Sequence, residues 1–148
     1  MKIDKQTVLV IDDSEVDRYL LTRQLSQTGL SLETLDMQDA EETLEYLKTC
    51  MIDTVDGFPD LIIFIDMRMP RMNGLEFIEE FVAMRENGLS LDVGIILMSS
   101  SENVQLRQKA LSYDFVGGFL NKNEITSSQL KSKIEALQHQ GFPFAKTG

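Results

Sequence analysis

Aspartates stand directly after two apolar stretches of the sequence. Val8–Ile11 leads into Asp12 and Asp13, and Leu61–Ile65 leads into Asp66. If the two stretches are neighbouring strands of a parallel sheet, their carboxyl ends bring these carboxylates into one small basin. Like charges that close raise the pKa of one of them unless a cation lies between them. A hard divalent ion with oxygen ligands, most naturally Mg2+, meets that requirement.

Two later apolar stretches end in polar residues that suit the same site. The first of them leads into Ser99, Ser100 and Ser101, and the second leads into Asn121 and Lys122. Lys122 offers a compact positive charge, and Ser99 offers a hydroxyl donor. With the carboxylates and a divalent ion, these groups would neutralise the oxygens of an incoming phosphoryl group. Each residue alone is typical of a cap or turn, but their recurrence at four strand ends favours one shared site.

The elements that must position these residues are indicated by five short apolar runs. Four of the runs are nearly continuous in Val, Ile, Leu, Phe and Met, which is typical of strands covered on both faces. The second run alternates more, and we expect it at an edge of the sheet. The predicted strands are Val8–Ile11, Leu32–Met37, Leu61–Ile65, Val93–Met98 and Val116–Leu120.

Helical spacing fills the segments between the runs. Ala40, Leu44, Leu47 and Met51 follow a helical repeat, and Asp39 with Glu42 forms an acidic variant of the capping box at its start. Further helices are predicted over Ser14–Thr28, from Gly74, over Glu102–Ser112 and from about Ser127. Strand and helix therefore alternate five times. This pattern predicts a doubly wound α/β fold with a parallel sheet and right-handed crossovers.

Composition limits the classes of function. The chain has 148 residues, which suggests one domain, with residues 1–139 as the domain and 140–148 as a tail or linker stub. Lys plus Arg number 14 and Asp plus Glu 24, and the resulting formal charge of −10 disfavours nucleic acid and membrane surfaces as partners. The single cysteine, Cys50, cannot form an internal disulfide, and no apolar run approaches the ~18 residues of a membrane span. We therefore expect a cytoplasmic protein.

Four segments together resemble the response-regulator receiver domain of two-component signalling, in its stand-alone form. They are Val8–Ser14, Asp66–Gly74, Leu97–Ser101 and Lys122. The central segment reads DMRMPRMNG, in which an acid closes an apolar strand, Met-Pro follows at +3 and +4, and Gly follows at +8. The resemblance extends from about Thr7 to Leu137. It implies a flavodoxin-like (βα)5 fold with a five-stranded parallel sheet in the order 2-1-3-4-5.

The resemblance also implies a role for each acidic residue. Asp66 would be the phosphoacceptor, taking a phosphoryl group from a sensor histidine kinase or a histidine phosphotransfer protein. Asp13, Asp66 and the backbone carbonyl of Arg68 would ligate Mg2+ directly, and Asp12 would act through water. The protein would catalyse only its own phosphorylation and dephosphorylation, and it would otherwise act as a switch rather than an enzyme.

Further residues would read the phosphorylated state. Ser99 would hydrogen-bond a phosphoryl oxygen, Lys122 would pair with it, and Phe119 would be the aromatic residue that changes rotamer in the switch. The resemblance also implies that Arg68 and Ser101 occupy the positions that modulate the lifetime of the phosphoryl group in this family. An arginine at position 68 predicts slow self-hydrolysis, because its guanidinium can shield the phosphoryl group from water or hold it electrostatically.

The sequence departs from the family pattern after Lys122, where Asn123 stands in place of the usual proline. A cis peptide before a non-proline residue costs about 3 kcal/mol, so we expect a trans bond and a reshaped loop. Output would pass through an unidentified partner protein or a homodimer, on the face formed by residues 102–137.

Three alternatives are open at this point. A small Mg2+-dependent aspartyl-phosphate phosphatase would also form a phosphoaspartate, but it usually has a second acid where Arg68 stands. A receiver that has lost phosphorylation and serves only for docking is the second alternative. A flavodoxin-like FMN carrier is the third, and Asp12 and Asp13 would repel the phosphate of its cofactor.

Overall fold

The computed structural model describes residues 5–49, 58–100 and 104–139. Within these ranges, five parallel strands form one sheet in the order β2-β1-β3-β4-β5. The strands are β1 (Gln6–Ile11), β2 (Leu32–Met37), β3 (Leu61–Asp66), β4 (Val93–Ser99) and β5 (Val116–Asn121). The helices are α1 (Glu15–Ser26), α2 (Ala40–Thr49), α3 (Gly74–Glu86), α4 (Val104–Leu111) and α5 (Ser127–His139), with a short 3-10 turn at Lys122–Glu124. The predicted fold class and strand order are confirmed.

The core follows from the apolar runs. Every residue of β1, β3 and β4 is buried, because these strands lie inside the sheet and helices cover both of its faces. The alternating strand β2 is only partly buried and lies at an edge of the sheet, as its pattern predicts. This arrangement places the carboxyl ends of β1 and β3 side by side, with Ile11 opposite Ile65.

Side-chain caps fix where the helices begin. Ser14 caps α1 by accepting a hydrogen bond from the Asp17 amide at 3.2 Å. The Asp39 carboxylate accepts from the Glu42 amide at 2.7 Å at the start of α2, which is one of the two hydrogen bonds of the predicted capping box. A full capping box between Asn73 and Glu76 opens α3 and was not predicted from the sequence.

Helix α5 closes the sheet beside β5. Its buried side chains are Leu130, Ile134 and Leu137, the stripe that the sequence predicts. Leu137 packs over Gly94 and Gly117, where a Cβ atom would lie 2.9 and 2.6 Å from its Cδ2. The absence of side chains at these two glycines therefore makes room for the end of α5.

Some predictions fall outside the described residues. They concern Cys50, Met51, Ser101, Glu102 and the tail 140–148. Among the helices that are described, the longest have 13 residues, and none is long and apolar enough to cross a membrane.

Candidate functional site

Three aspartates converge at the carboxyl ends of β1 and β3. One carboxylate oxygen from each of Asp12, Asp13 and Asp66 lies within 4.8 Å of the other two. Asp12 and Asp66 are 1% and 6% exposed, whereas Asp13 faces solvent. The sheet order explains the cluster, because β1 and β3 are hydrogen-bonded neighbours and both end at this edge. The structure thus brings the three predicted acidic residues together.

Backbone amides orient the two buried carboxylates. The Oδ1 atom of Asp12 accepts a hydrogen bond from the Ser14 amide at 2.9 Å. The Oδ1 atom of Asp66 accepts one from the Arg68 amide at 3.1 Å. Each carboxylate is therefore held by the turn that follows its own strand, and its Oδ2 atom is directed to a common point.

That common point is the ammonium group of Lys122. Its Nζ atom lies 2.7 Å from Oδ2 of Asp12 and 3.2 Å from Oδ2 of Asp66. A third carboxylate, Asp17 on the first turn of α1, approaches the same Nζ atom with its Oδ2 at 2.8 Å. The expected approach of Lys122 to the aspartates is present, and Asp17 is a contact that the sequence analysis missed.

Burial and charge shift two pKa values in this cluster. Desolvation by burial raises the pKa of Asp66, aided by the charge of Asp12, and this outweighs the opposing effects of the Arg68 amide and of Lys122. Burial alone would lower the pKa of Lys122, but hydrogen bonds to Asp12 and Asp17 and the charge of Asp66 raise it above its ordinary value. Lys122 is therefore fully charged at neutral pH.

The donor set fits a hard divalent cation. Carboxylate oxygens are the ligands that Mg2+ prefers, and three of them meet here at the bottom and rim of one basin. Lys122 supplies one positive charge beside four carboxylates, those of Asp12, Asp13, Asp66 and Asp17, so negative charge is in excess. A divalent cation would compensate part of that excess, which explains why such a cluster favours an ion.

The loop from β3 to α3 holds Asp66 in place and explains the glycine at +8. The Gly74 amide donates to the Met67 carbonyl at 3.1 Å, which brings the start of α3 against the backbone after Asp66. A Cβ atom at Gly74 would lie 3.2 Å from the Asp66 carbonyl oxygen and from the Met67 Cα. At the tip of the loop, Arg71 has φ 69° and forms ion pairs with Asp39 and Glu41 on the α2 side.

The remaining predicted residues lie around the same edge of the sheet. Ser99 ends β4, is buried, and is paired in register with Asn121. Phe119 is half-buried on β5, and the guanidinium of Arg107 on α4 lies 5.0 Å from the centre of its ring. Arg68 is exposed beside the basin. Of the predicted set, Ser101 lies outside the described residues.

The loop after β5 takes a form that proline would prevent. All peptide bonds in the described ranges are trans, as expected for the bond before Asn123. The Asn123 amide donates to the side-chain oxygen of Asn121 at 2.9 Å, a bond that proline cannot form. Gln24 of α1 donates to the Ile125 carbonyl at 2.8 Å and fastens the loop to that helix.

A cavity of about 320 Å³ opens between α1 and this loop. Asp12, Asp17 and Lys122 are among its lining residues, together with Leu21, Gln24 and Ile125. The charged groups that meet at Lys122 therefore border a cavity, and the Lys122 side chain is 15% exposed.

Comparisons with known proteins agree with the fold and show the family. The family described as response regulator receiver domain matches residues 8–135. The two-component response regulator ARR6 of Arabidopsis thaliana is 33% identical over 147 residues, covering 97% of this chain and 76% of ARR6. The sensor histidine kinase CheAY of Helicobacter pylori (strain ATCC 700392 / 26695) is 38% identical over 73 residues, covering 49% of this chain and 8% of CheAY. The chain thus corresponds to most of one relative and to a small part of the other.

A solved structure gives the same result for the fold. The signal receiver domain of an HD domain-containing protein from Pseudomonas fluorescens Pf-5 superimposes with a TM-score of 0.72 at 19% identity. The match covers 93% of this chain and 97% of that one. At this identity the likeness concerns the fold alone.

Proposed function

Because this chain belongs to the response regulator receiver domain family of two-component signalling, we propose that Asp66 accepts a phosphoryl group. Receiver domains are signalling modules rather than enzymes with a separate substrate. The donor is a sensor histidine kinase or a histidine phosphotransfer protein, and phosphorylation switches the binding of a partner. We place this activity in the cytoplasm.

The observation that carries the proposal is the setting of the Asp66 carboxylate. The Arg68 amide fixes its Oδ1 atom, and Lys122 lies 3.2 Å from its Oδ2 atom. A carboxylate oxygen of Asp66 attacks the phosphorus, and the bond from phosphorus to the imidazole nitrogen of the donor breaks. The leaving nitrogen keeps the bonding electron pair. Lys122 is charged and placed to neutralise the phosphoryl oxygens as they arrive.

The proposed metal ligands are Asp13, Asp66 and the backbone carbonyl of Arg68, with Asp12 acting through water. When bound, Mg2+ supplies positive charge to the attacking carboxylate and to the phosphoryl group. The three carboxylate oxygens within 4.8 Å of one another support this assignment. The exposed position of Asp13 leaves that side of the basin open to the donor.

The switch uses residues on β4, β5 and α4. Ser99 and Lys122 bind the phosphoryl oxygens, which draws their loops toward Asp66. Phe119 has no hydroxyl, so any change of its rotamer depends on packing, and its ring contacts Arg107 of α4. Movement of Phe119 would therefore alter the face formed by residues 102–137. An unidentified output protein, or a second copy of the chain in a homodimer, binds there.

The alternatives receive less support. A phosphatase of this kind usually has a general acid two residues after the nucleophile, and Arg68 at that position cannot release a proton at neutral pH. A docking-only receiver does not require the buried aspartates and Lys122 to converge as they do. An FMN carrier is disfavoured by the family match over residues 8–135.

Phosphorylation with acetyl phosphate and Mg2+, followed by intact mass, tests the proposal. We expect a single adduct of about 80 Da on the wild-type chain and none with Asp66→Asn or with EDTA. Asp114→Asn is the matched control, because Asp114 is exposed in the turn before β5. An Asp66→Asn variant that gains the adduct as the wild type does would disprove the assignment. A wild-type chain without an adduct would then be tested with a histidine kinase as donor.

The lifetime of the phosphoryl group tests the role of Arg68. Its exposed guanidinium lies at the rim of the basin, and an exposed charge contact of this kind slows hydrolysis by about two- to fivefold. We expect slow self-hydrolysis in the wild type and a half-life shortened by that factor in Arg68→Ala. Loss of the adduct over time, followed by intact mass, measures both. A wild-type half-life of only seconds would contradict the proposal, and Ser101 is proposed to act at the same step.

A further inference from the structure

We infer that Asp17 is a positioning residue that holds the Lys122 ammonium when a divalent ion occupies the aspartate cluster. The inference rests on the proposed function, because it assumes that Asp12 and Asp66 serve the ion. In the structure, Lys122 contacts Oδ2 of both residues, at 2.7 and 3.2 Å. Lys122 therefore competes with Mg2+ for these two carboxylates.

Asp17 gives the displaced ammonium a carboxylate of its own. Its Oδ2 atom lies 2.8 Å from Nζ of Lys122, and the corresponding distance from Asp12 is 2.7 Å. The side chain of Asp17 is 42% exposed, whereas that of Asp12 is 2% exposed. The metal cluster comprises Asp12, Asp13 and Asp66, so Asp17 can keep its contact without losing an oxygen to the ion.

The surrounding elements fix both partners of this contact. The Asp17 amide donates to Ser14, so the helix cap sets the position of Asp17. Gln24 lies seven residues further along α1, on the same face, and holds the Ile125 carbonyl. Helix α1 thus supports the Lys122 loop at two points.

The consequence is a measurable effect on Mg2+ affinity in the unphosphorylated protein. Asp17→Asn keeps the backbone amide that donates to the Ser14 cap but removes the side-chain charge, so Lys122 pairs more fully with Asp12 and Asp66. We expect the Kd for Mg2+ to rise about two- to fivefold, which corresponds to one partly exposed ion pair. Lys122→Met removes the competitor and is expected to lower the Kd instead.

Isothermal titration with MgCl2 tests the inference on five chains. They are the wild type, Asp17→Asn, Lys122→Met, the double variant, and Glu15→Gln. Glu15 is the control because it is an exposed acid of the same first turn and changes the net charge equally. If Asp17 acts through Lys122, its substitution in the Lys122→Met background changes the Kd no more than Glu15→Gln does. An equal effect of Asp17→Asn in both backgrounds would overturn the inference.

The rate of phosphorylation gives a second readout. Asp17→Asn should react slowly at limiting Mg2+ and recover the wild-type rate at saturating Mg2+, because only competition for the ligands has changed. A rate that stays low at saturating Mg2+ would contradict competition between Lys122 and Mg2+ for the carboxylates.

The experiments distinguish failure of the proposed function from failure of this inference. A wild-type chain that no donor phosphorylates refutes the proposed function, whereas normal phosphorylation with unchanged Mg2+ affinity in Asp17→Asn refutes this inference alone.

Discussion

Burial raises the pKa of Asp66, whereas the amide of Arg68 and the ammonium of Lys122 lower it. The net effect is a raised pKa, so the folded protein favours the protonated form of Asp66 more than water does. The proposed chemistry, however, needs the carboxylate form. The folded chain without metal therefore holds a charge that it stabilises poorly. A cation in the cluster removes this conflict, since it compensates both Asp66 and Asp12.

We expect Asp66→Asn to stabilise the metal-free protein at neutral pH, because burial raises the pKa of Asp66 and so disfavours its carboxylate in the folded state. Because the folded pKa is raised, the contribution of Asp66 to stability is present below the ordinary value of 3.8 and is lost as the pH rises through the raised pKa. The free energy of unfolding of the variant, relative to that of the wild type, should thus increase as the pH rises over that range. Denaturant unfolding in EDTA between pH 4 and pH 8 measures the difference, with Asp114→Asn as control. A difference that does not change with pH would contradict the expectation.

At the same scale, the sequence predicts the aspartates and Lys122 but not Asp17. Asp12, Asp13 and Asp66 are recognisable because each follows an apolar strand, and strand ends converge in a parallel sheet. Asp17 lies in the first turn of a helix, where acids are common for reasons of the helix dipole. Asp17 contacts Lys122 only because the loop after β5 lies against α1, and no local sequence pattern predicts that tertiary contact.

Among the elements, the loop after β5 departs most from the family pattern. Asn121 and Asn123 form a turn in which the amide of one donates to the side chain of the other. The turn presents Lys122 at the start of a 3-10 helix and toward α1. The two asparagines therefore act together, and a proline at position 123 would be incompatible with the role of Asn121.

Asn123→Pro is expected to lower the free energy of unfolding by about 1 kcal/mol and to slow phosphorylation. Proline has no N–H group, so the hydrogen bond from residue 123 to the side-chain oxygen of Asn121 is lost. A proline also disfavours the helical conformation of the residue before it, which is Lys122. Asn123→Ala keeps the amide and should behave as the wild type does. Chemical denaturation and the acetyl phosphate reaction check both variants, and equal behaviour of the two would show that the turn does not hold Lys122.

The element bounds show what apolar periodicity can and cannot predict. All five strands lie where the apolar runs predict them, since continuous burial leaves a strong pattern. Helix α1 runs from Glu15 to Ser26 rather than over Ser14–Thr28, because Ser14 is its N-cap and Gln27 is its C-cap. Caps depend on single residues rather than on periodicity, and Asn73 and Glu76 have the same spacing as Asp39 and Glu42, so this signal could also have predicted the capping box of α3.

For the whole molecule, alternation of strand and helix predicts the parallel sheet, but not the order of its strands. The order came from the family resemblance, because a buried apolar run does not indicate which neighbour it pairs with. Once the order is known, the position of the site follows. Strands β1 and β3 are adjacent only when β2 lies outside them.

A chain that ends at His139 should keep the stability of the full chain within about 0.5 kcal/mol and should still be phosphorylated. The stripe of α5 that contacts the sheet ends at Leu137, before this boundary. A chain that ends at Ala136 should lose about 2–4 kcal/mol, since it lacks Leu137 and the hydrogen bond from Gln138 to Gln6. Thermal and denaturant unfolding of the full chain and of the two shortened chains measures these differences. A large loss of stability in the chain that ends at His139 would show that residues 140–148 belong to the domain.

The contact between Asp12 and Lys122 joins residues 110 positions apart in the sequence. During synthesis on the ribosome, Asp12 and Asp66 emerge well before the lysine that compensates them. Until the end of β5 has been made, the two buried carboxylates lack the cation that the folded protein holds 2.7 and 3.2 Å from them. The first strands of the sheet therefore carry negative charges that a residue after the last strand compensates.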